Sequence, residues 1–168
     1  MSKSNYLSDN FVCLSVMKEL NLPGVDLRTR INRGKHEVFD PVRKRHVSLT
    51  AEEWVRQHFL QFLIVQKKVP PSLIAVETSI KYNRLSKRCD LVVYNRNGQP
   101  VLIVECKAPE IEISQDVFHQ VAMYNMTLKV RYLVVTNGLD HYTCEVDHEK
   151  GSFQFLKDIP DFDLMTRE

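Results

Sequence analysis

The chain has 168 residues, 43% hydrophobic and 26% charged, with 23 lysines and arginines against 21 acids and a net charge of +2. A chain of this length and composition is expected to form one soluble domain over residues 1–168, with its core over about residues 20–160, burying roughly 70% of its unfolded surface. These figures exclude low-complexity and collagen-like chains, and the small net charge alone argues for no nucleic-acid partner.

Met1 to Pro23 holds one short helix at most. Its apolar run from Phe11 to Met17 is interrupted by Ser15 and lacks a small-residue cleavage site, unlike a signal peptide. No stretch approaches the roughly 20 apolar residues of a membrane span, so a cytoplasmic protein without membrane contact is expected. From Val25 to Val47, alternation in DLRTRI, the Arg33-Gly34 pair and then HEVFD predict a β-hairpin. This segment gathers Arg28, Arg30, Arg33, Lys35, Arg43, Lys44 and Arg45 against Glu37 and Asp40, whereas the chain from Asp140 onward is acid-rich. Such a basic face either meets a phosphate backbone or is simply solvated.

LTAEEWVRQHFLQFLIVQKK reads as a helix. Thr50 at the N-cap and Glu53 at the third position form a capping box, giving Glu53 a local job. Val55, Phe59, Phe62 and Leu63 share a stripe at about 100° per residue. Glu52 falls inside that stripe and Glu53 points away from it, so Glu52 is the helix acid placed to reach a site on the sheet. Which of the two acids serves stays open. After Pro70-Pro71, SLIAVETSI is a strand, with Glu77 facing either a site or solvent, and KYNRLSK leads into a central hairpin.

That hairpin, RCDLVVYNRNGQPVLIVECKAP, organises the chain. Two apolar strands flank the turn pair Asn97-Gly98, so Asp90 opens one strand and Glu105 and Lys107 close the next. Side chains alternate along a strand, which puts Glu105 and Lys107 on one face and Cys106 on the other. The antiparallel partner brings Asp90 beside Glu105. Glu-X-Lys on a strand is often a solvated face, but VLIV is apolar at every position and marks a strand covered on both sides. Two carboxylates and an ammonium at the end of such a strand call for a compensating charge, which a hard divalent cation supplies. Asp90, Glu105 and the Cys106 backbone carbonyl would hold Mg²⁺, with Mn²⁺ as substitute, while Lys107 positions or deprotonates water. Arg88 shares a face with Asp90 and either touches phosphate or pairs with an acid.

Ser114 caps a second helix, SQDVFHQVAMYNMTLK, and RYLVVT, HYTCEV and SFQFL follow as strands. The order predicts an α/β fold, a mixed sheet flanked by helices, with an N-terminal hairpin. Cys13, Cys89, Cys106 and Cys144 show no C-x-x-C spacing and read as reduced and mostly buried.

Aspartate, a turn, an apolar strand ending Glu-X-Lys and a preceding helix with an acid together resemble the PD-(D/E)XK nuclease superfamily, with Cys89 in place of the motif's proline. Gln120 and Tyr124 resemble the Q-x-x-x-Y element of RecB-like members. More closely, LTAEEWVRQHFL, KRCDLVVYN, VLIVECKAP, HQVAMYN and LVVTNG resemble the N-terminal nuclease domain of type I restriction enzyme R subunits, in the small stand-alone form found in bacteria. The resemblance covers about residues 20 to 160. It implies a restriction-endonuclease-like fold, a Mg²⁺-dependent DNA endonuclease or exonuclease, and catalytic roles for Asp90, Glu105, Lys107, Glu52 and Gln120. Tyr124, Arg88, Arg43, Lys44 and Arg45 are the expected nucleic-acid contacts. A homodimer is expected if both strands of a duplex are cut. The chain contains no G-x-x-x-x-G-K-[ST] loop, so no nucleotide cofactor is expected. The alternative is a catalytically silent module binding nucleic acid or protein on the same fold.

Overall fold

The computed structural model describes residues 17–82 and 85–167, except the side chains at 80–82, 85, 87, 120, 123, 124 and 126–128. β1 (Thr29–Asn32), β2 (Lys35–Asp40) and β3 (Arg45–Ser48) form an antiparallel sheet in that order. Arg33 and Gly34 both take positive φ, 49° and 75°, so this two-residue turn joins β1 to β2 with the twist a hairpin needs. The predicted hairpin gains a third strand because Asp40 turns the chain back. Its Oδ1 accepts from the amides of Val42 at 2.8 Å and Arg43 at 2.7 Å, a side-chain mimic of a backbone turn.

α1 (Ala51–Val65) starts as expected at Thr50, whose hydroxyl accepts from the Glu53 amide at 3.1 Å. Val55, Phe59 and Leu63 are buried and Phe62 packs partly buried against the same core. After a 3₁₀ turn at Pro71–Leu73, β4 (Ile74–Tyr82), β5 (Leu85–Tyr94) and β6 (Pro100–Cys106) form an antiparallel meander. KYNRLSK is more than a lead-in: Lys81 and Tyr82 end β4 and Leu85 to Lys87 begin β5, while Asn83 and Arg84 lie outside the described residues. The β5–β6 turn is wider than the Asn97-Gly98 pair, since the Asn95 carboxamide oxygen accepts from the amides of both Asn97 and Gln99.

α2 (Gln115–Leu128) crosses over to β7 (Tyr132–Thr136), which pairs parallel to β6, and β8 (His141–Asp147) and β9 (Ser152–Leu156) complete a second antiparallel meander. The sheet order is β4-β5-β6-β7-β8-β9. Alternation along the strands divides the core in two. Leu91, Val93, Leu102, Val104 and Val134 pack with α1 and with α3 (Phe162–Met165), a terminal turn the sequence reading left unassigned. Val92, Ile103, Leu133, Val135 and Cys144 pack with Phe118, Val121 and Ala122 of α2. Helices thus flank both faces of the mixed sheet. Cys89, Cys106 and Cys144 are buried, and Cys13 lies outside the described residues. No described helix is long and apolar enough to cross a membrane.

Candidate active site

The last paired residues of β5 and β6 are Leu91 and Val104, so Asp90 and Glu105 lie just beyond the ladder. There the two strands part. Asp90 Oδ2 accepts from the Cys106 amide at 2.6 Å, doing for β6 what a continuing backbone ladder would do. Lys107 Nζ donates to Glu105 Oε1 at 3.0 Å, and the Lys107 amide donates to Thr136 O at 2.8 Å, which fixes this strand end against β7. The side chains of Asp90 and Glu105 are each 17% exposed and that of Lys107 is 31% exposed, so solvent reaches them. Cys106 turns the opposite way, into the core under α1. Its thiol is pushed well up, first by burial and then by the nearby Asp90 carboxylate.

Burial alone would lower the Lys107 ammonium, yet its hydrogen bond to Glu105 and the fields of Glu105, Asp90 and Glu52 raise it above the ordinary lysine value. Lys107 is thus a cation here, suited to orienting a water or holding an oxyanion rather than to taking a proton.

Behind these three residues lies an ionic network that the sequence reading missed. Arg56 Nη2 donates to Asp90 Oδ1 and to Glu52 Oε1, each at 2.9 Å, while Nη1 pairs with Glu53 Oε2. Glu53 Oε1 takes Arg43 at 2.5 Å and the Gln57 amide at 2.8 Å. Arg43 also binds Asp40 at 2.7 Å and Glu77 at 2.5 Å. Only 5% of the Arg56 side chain and 10% of that of Arg43 reach solvent. Burial disfavours the Arg56 charge, but Asp90 and Glu53 more than offset this and its proton is held more tightly than usual.

Three expectations change accordingly. Glu53 was given a capping job and an outward direction, yet its carboxylate is buried between two guanidiniums; only the Thr50 half of the capping box is among the hydrogen bonds found. Glu52, placed on the buried stripe, is instead 45% exposed at the rim, reaching the site through Arg56. Arg43, expected on a basic DNA-facing surface, points inward and is committed to three carboxylates. Lys44 and Arg45 are exposed at the β2–β3 turn. Arg88 pairs with Glu77 at 2.9 Å while 69% exposed. Gln120 and Tyr124 lie four residues apart on α2, and their side chains are outside the described residues. The spacing of Glu52, Glu53 and Arg56, three and four apart on a helix, was the available signal for part of the network. Arg43, Asp40 and Glu77 come from distant segments and gave none.

Among the described residues, no three Asp, Glu, His or Cys side chains gather into a metal cage. The donor set expected from the sequence is two carboxylates, Asp90 and Glu105, and the Cys106 carbonyl. An ionised carboxylate has about four lone-pair sites, so one hydrogen bond to each Asp90 oxygen leaves capacity for a cation. An all-oxygen, partly solvated set of this kind fits a hard divalent ion that keeps several waters.

A mixed sheet with helices on both faces is the restriction-endonuclease-like α/β architecture expected from the sequence, and Asp90 and Glu-X-Lys lie just past the last rung between β5 and β6. Residues 51–160 match the family model described as type I restriction enzyme R protein N terminus, and the chain belongs to that family. A solved fragment assigned as an HsdR subunit of a type I restriction enzyme from Vibrio vulnificus YJ016 is 22% identical with a TM-score of 0.42. That alignment covers 64% of this chain and only 24% of the other. No curated protein sequence matches the chain.

Proposed function

We propose that the chain is a metal-dependent phosphodiester hydrolase acting on DNA. The observation that supports this reading is Lys107, hydrogen-bonded to Glu105 and within the electrostatic field of Asp90 at a solvent-reachable strand end. Asp90, Glu105 and the Cys106 carbonyl would hold Mg²⁺ or Mn²⁺. When bound, such an ion acidifies its water and offsets charge on the phosphoryl oxygens. Lys107 keeps its proton, orients the attacking water and stabilises the negative charge that grows on phosphate. Glu52, at the rim and paired with Arg56, would bind the ion's water shell. Gln120 is assigned to orienting the nucleophile, and Tyr124, Arg88, Lys44 and Arg45 to the nucleic-acid backbone.

The rival reading is a silent module that binds nucleic acid or protein, and the Arg56 pairing of Asp90 favours it, because a guanidinium already balances that carboxylate. Plasmid and single-stranded DNA incubated with Mg²⁺, Mn²⁺ or chelator separate the two. Cleavage that needs metal and is lost in Lys107→Ala supports hydrolysis. DNA binding without cleavage under every metal condition rejects it in favour of the silent module.

A further inference from the structure

Among the described residues, five other than glycine take positive φ, and four of them, Arg33, Lys44, Lys68 and Lys129, lie in turns or just past a helix. Glu77, at φ 48°, stands in the middle of β4. A left-handed backbone is costly for a residue with a side chain and persists where the surroundings enforce it. Here two guanidiniums do so: the Glu77 carboxylate accepts from Arg43 at 2.5 Å and from Arg88 at 2.9 Å.

The kink has a counterpart across the ladder. β4 and β5 pair Val76 with Leu91 and then Thr78 with Cys89, skipping the facing positions Glu77 and Asp90 without a change of register. Side chains change face at that gap. Leu91 and Val93 pack on the α1 side of the sheet with Ile74 and Val76, whereas Cys89 packs on the α2 side with Val92. Strict alternation would keep Cys89 with Leu91. Thr78, opposite Cys89, shares its face, so both strands turn over together at Glu77 and Asp90. The turn leaves Asp90 on the α1 side, where Arg56 and the Cys106 amide take its two oxygens. A β5 without it, continuing the phase of Leu91 and Val93, would aim Asp90 at the α2 side, away from Arg56.

Resting on the metal-site reading above for its bearing on catalysis, we propose that Glu77 is a positioning residue. Its left-handed backbone, locked by Arg43 and Arg88, delivers the Asp90 carboxylate to the candidate site. Glu77 acts through the paired strand, and the geometry of its backbone matters more than its charge.

Amide hydrogen exchange followed by NMR on the full chain, without metal or DNA, reads the position of Asp90. Asp90 Oδ2 holds the Cys106 amide, while the adjacent Lys107 amide is held by Thr136 O of β7 and serves as the internal reference. Glu77→Gly deletes the carboxylate and accepts positive φ, whereas Glu77→Val deletes the same carboxylate and, being β-branched, resists positive φ. The ratio of Cys106 to Lys107 exchange rates should stay within about threefold of wild type in Glu77→Gly. In Glu77→Val it should rise roughly tenfold or more, the size of one lost hydrogen bond to a charged acceptor. Glu77→Ala, smaller but also averse to positive φ, should move the ratio in the same direction and decides the matter if Glu77→Val does not fold. A merely structural Glu77 would speed both amides together and leave the ratio unmoved, which overturns the proposal. An equal rise in Glu77→Gly overturns it too, because the carboxylate rather than the backbone would then be responsible. Mn²⁺ affinity, followed by electron paramagnetic resonance, should hold in Glu77→Gly and fall about tenfold or more in Glu77→Val, as for other residues that orient a metal ligand. If the wild-type chain takes up no Mn²⁺, the metal-site reading fails, and the exchange ratio still decides the role of Glu77.

Discussion

Asp90 has two duties at once, presenting a carboxylate to the candidate metal position and holding the Cys106 amide where the strands part. Its removal therefore does more than delete a ligand. Asp90→Ala should cost about 3–5 kcal/mol in denaturant melts, because it leaves the buried Arg56 charge short of a partner and the Cys106 amide without an acceptor. Lys107→Ala should change stability by less than about 1 kcal/mol, since its ion pair is partly solvated. Lys107 is accordingly the cleaner probe of chemistry. Gly138, at φ +84°, ends β7 at a turn where an added Cβ would lie 2.7 Å from the Leu20 side chain. Leu20 can yield, but the backbone cannot, so Gly138→Ala should cost about 1–3 kcal/mol in the same melts. His58 sits 7% exposed on α1, and burial lowers its pKa, partly opposed by its bond to Trp54 O. The unfolded chain then binds the extra proton more readily, so this contribution is complete above the ordinary histidine value and fades as pH falls below it. Melting temperature should drop on acidification from neutral pH, with a shallower slope in His58→Gln.

At the level of elements, α1 carries two messages on one cylinder. Its apolar stripe and its Thr50 cap were readable because both depend on residues within a turn or two of each other, and Thr50→Ala should cost about 1 kcal/mol of stability, measurable by chemical denaturation. The Glu53 carboxylate was misread for the opposite reason. Its local partner, the N-cap amide, competes with Arg43, which arrives from a turn ten residues upstream and offers a buried guanidinium. The β6 half of the hairpin was legible, since strand alternation relates the faces of Glu105, Cys106 and Lys107 locally, whereas Asp90, read as opening its strand, lies within β5, which begins at Leu85. β3 was not, because RHVS is too short and polar to stand out; Asp40 makes it a strand by reversing the chain.

Across the molecule, Asp40, Arg43, Glu53, Arg56 and Asp90 form one chain of contacts from the N-terminal sheet to the candidate site. Arg43→Met should cost about 3–5 kcal/mol, because it strands buried carboxylates, and hydrogen exchange should then accelerate in β1–β3 before it does in β6 and β7. The main sheet has a different logic. Its strands fall into two antiparallel meanders, β4–β6 and β7–β9, joined along a single parallel seam. Every residue proposed to handle metal or water lies in or before the first meander, apart from Lys107 one residue past it and Gln120 on the crossover helix. The second meander's contact with the Lys107 end of β6 is backbone to backbone, from Lys107 N to Thr136 O. The far hairpin tip at Lys150 and Gly151, exposed and beyond β7 from β6, is consequently a place to graft a fluorophore or affinity tag with the candidate site left untouched.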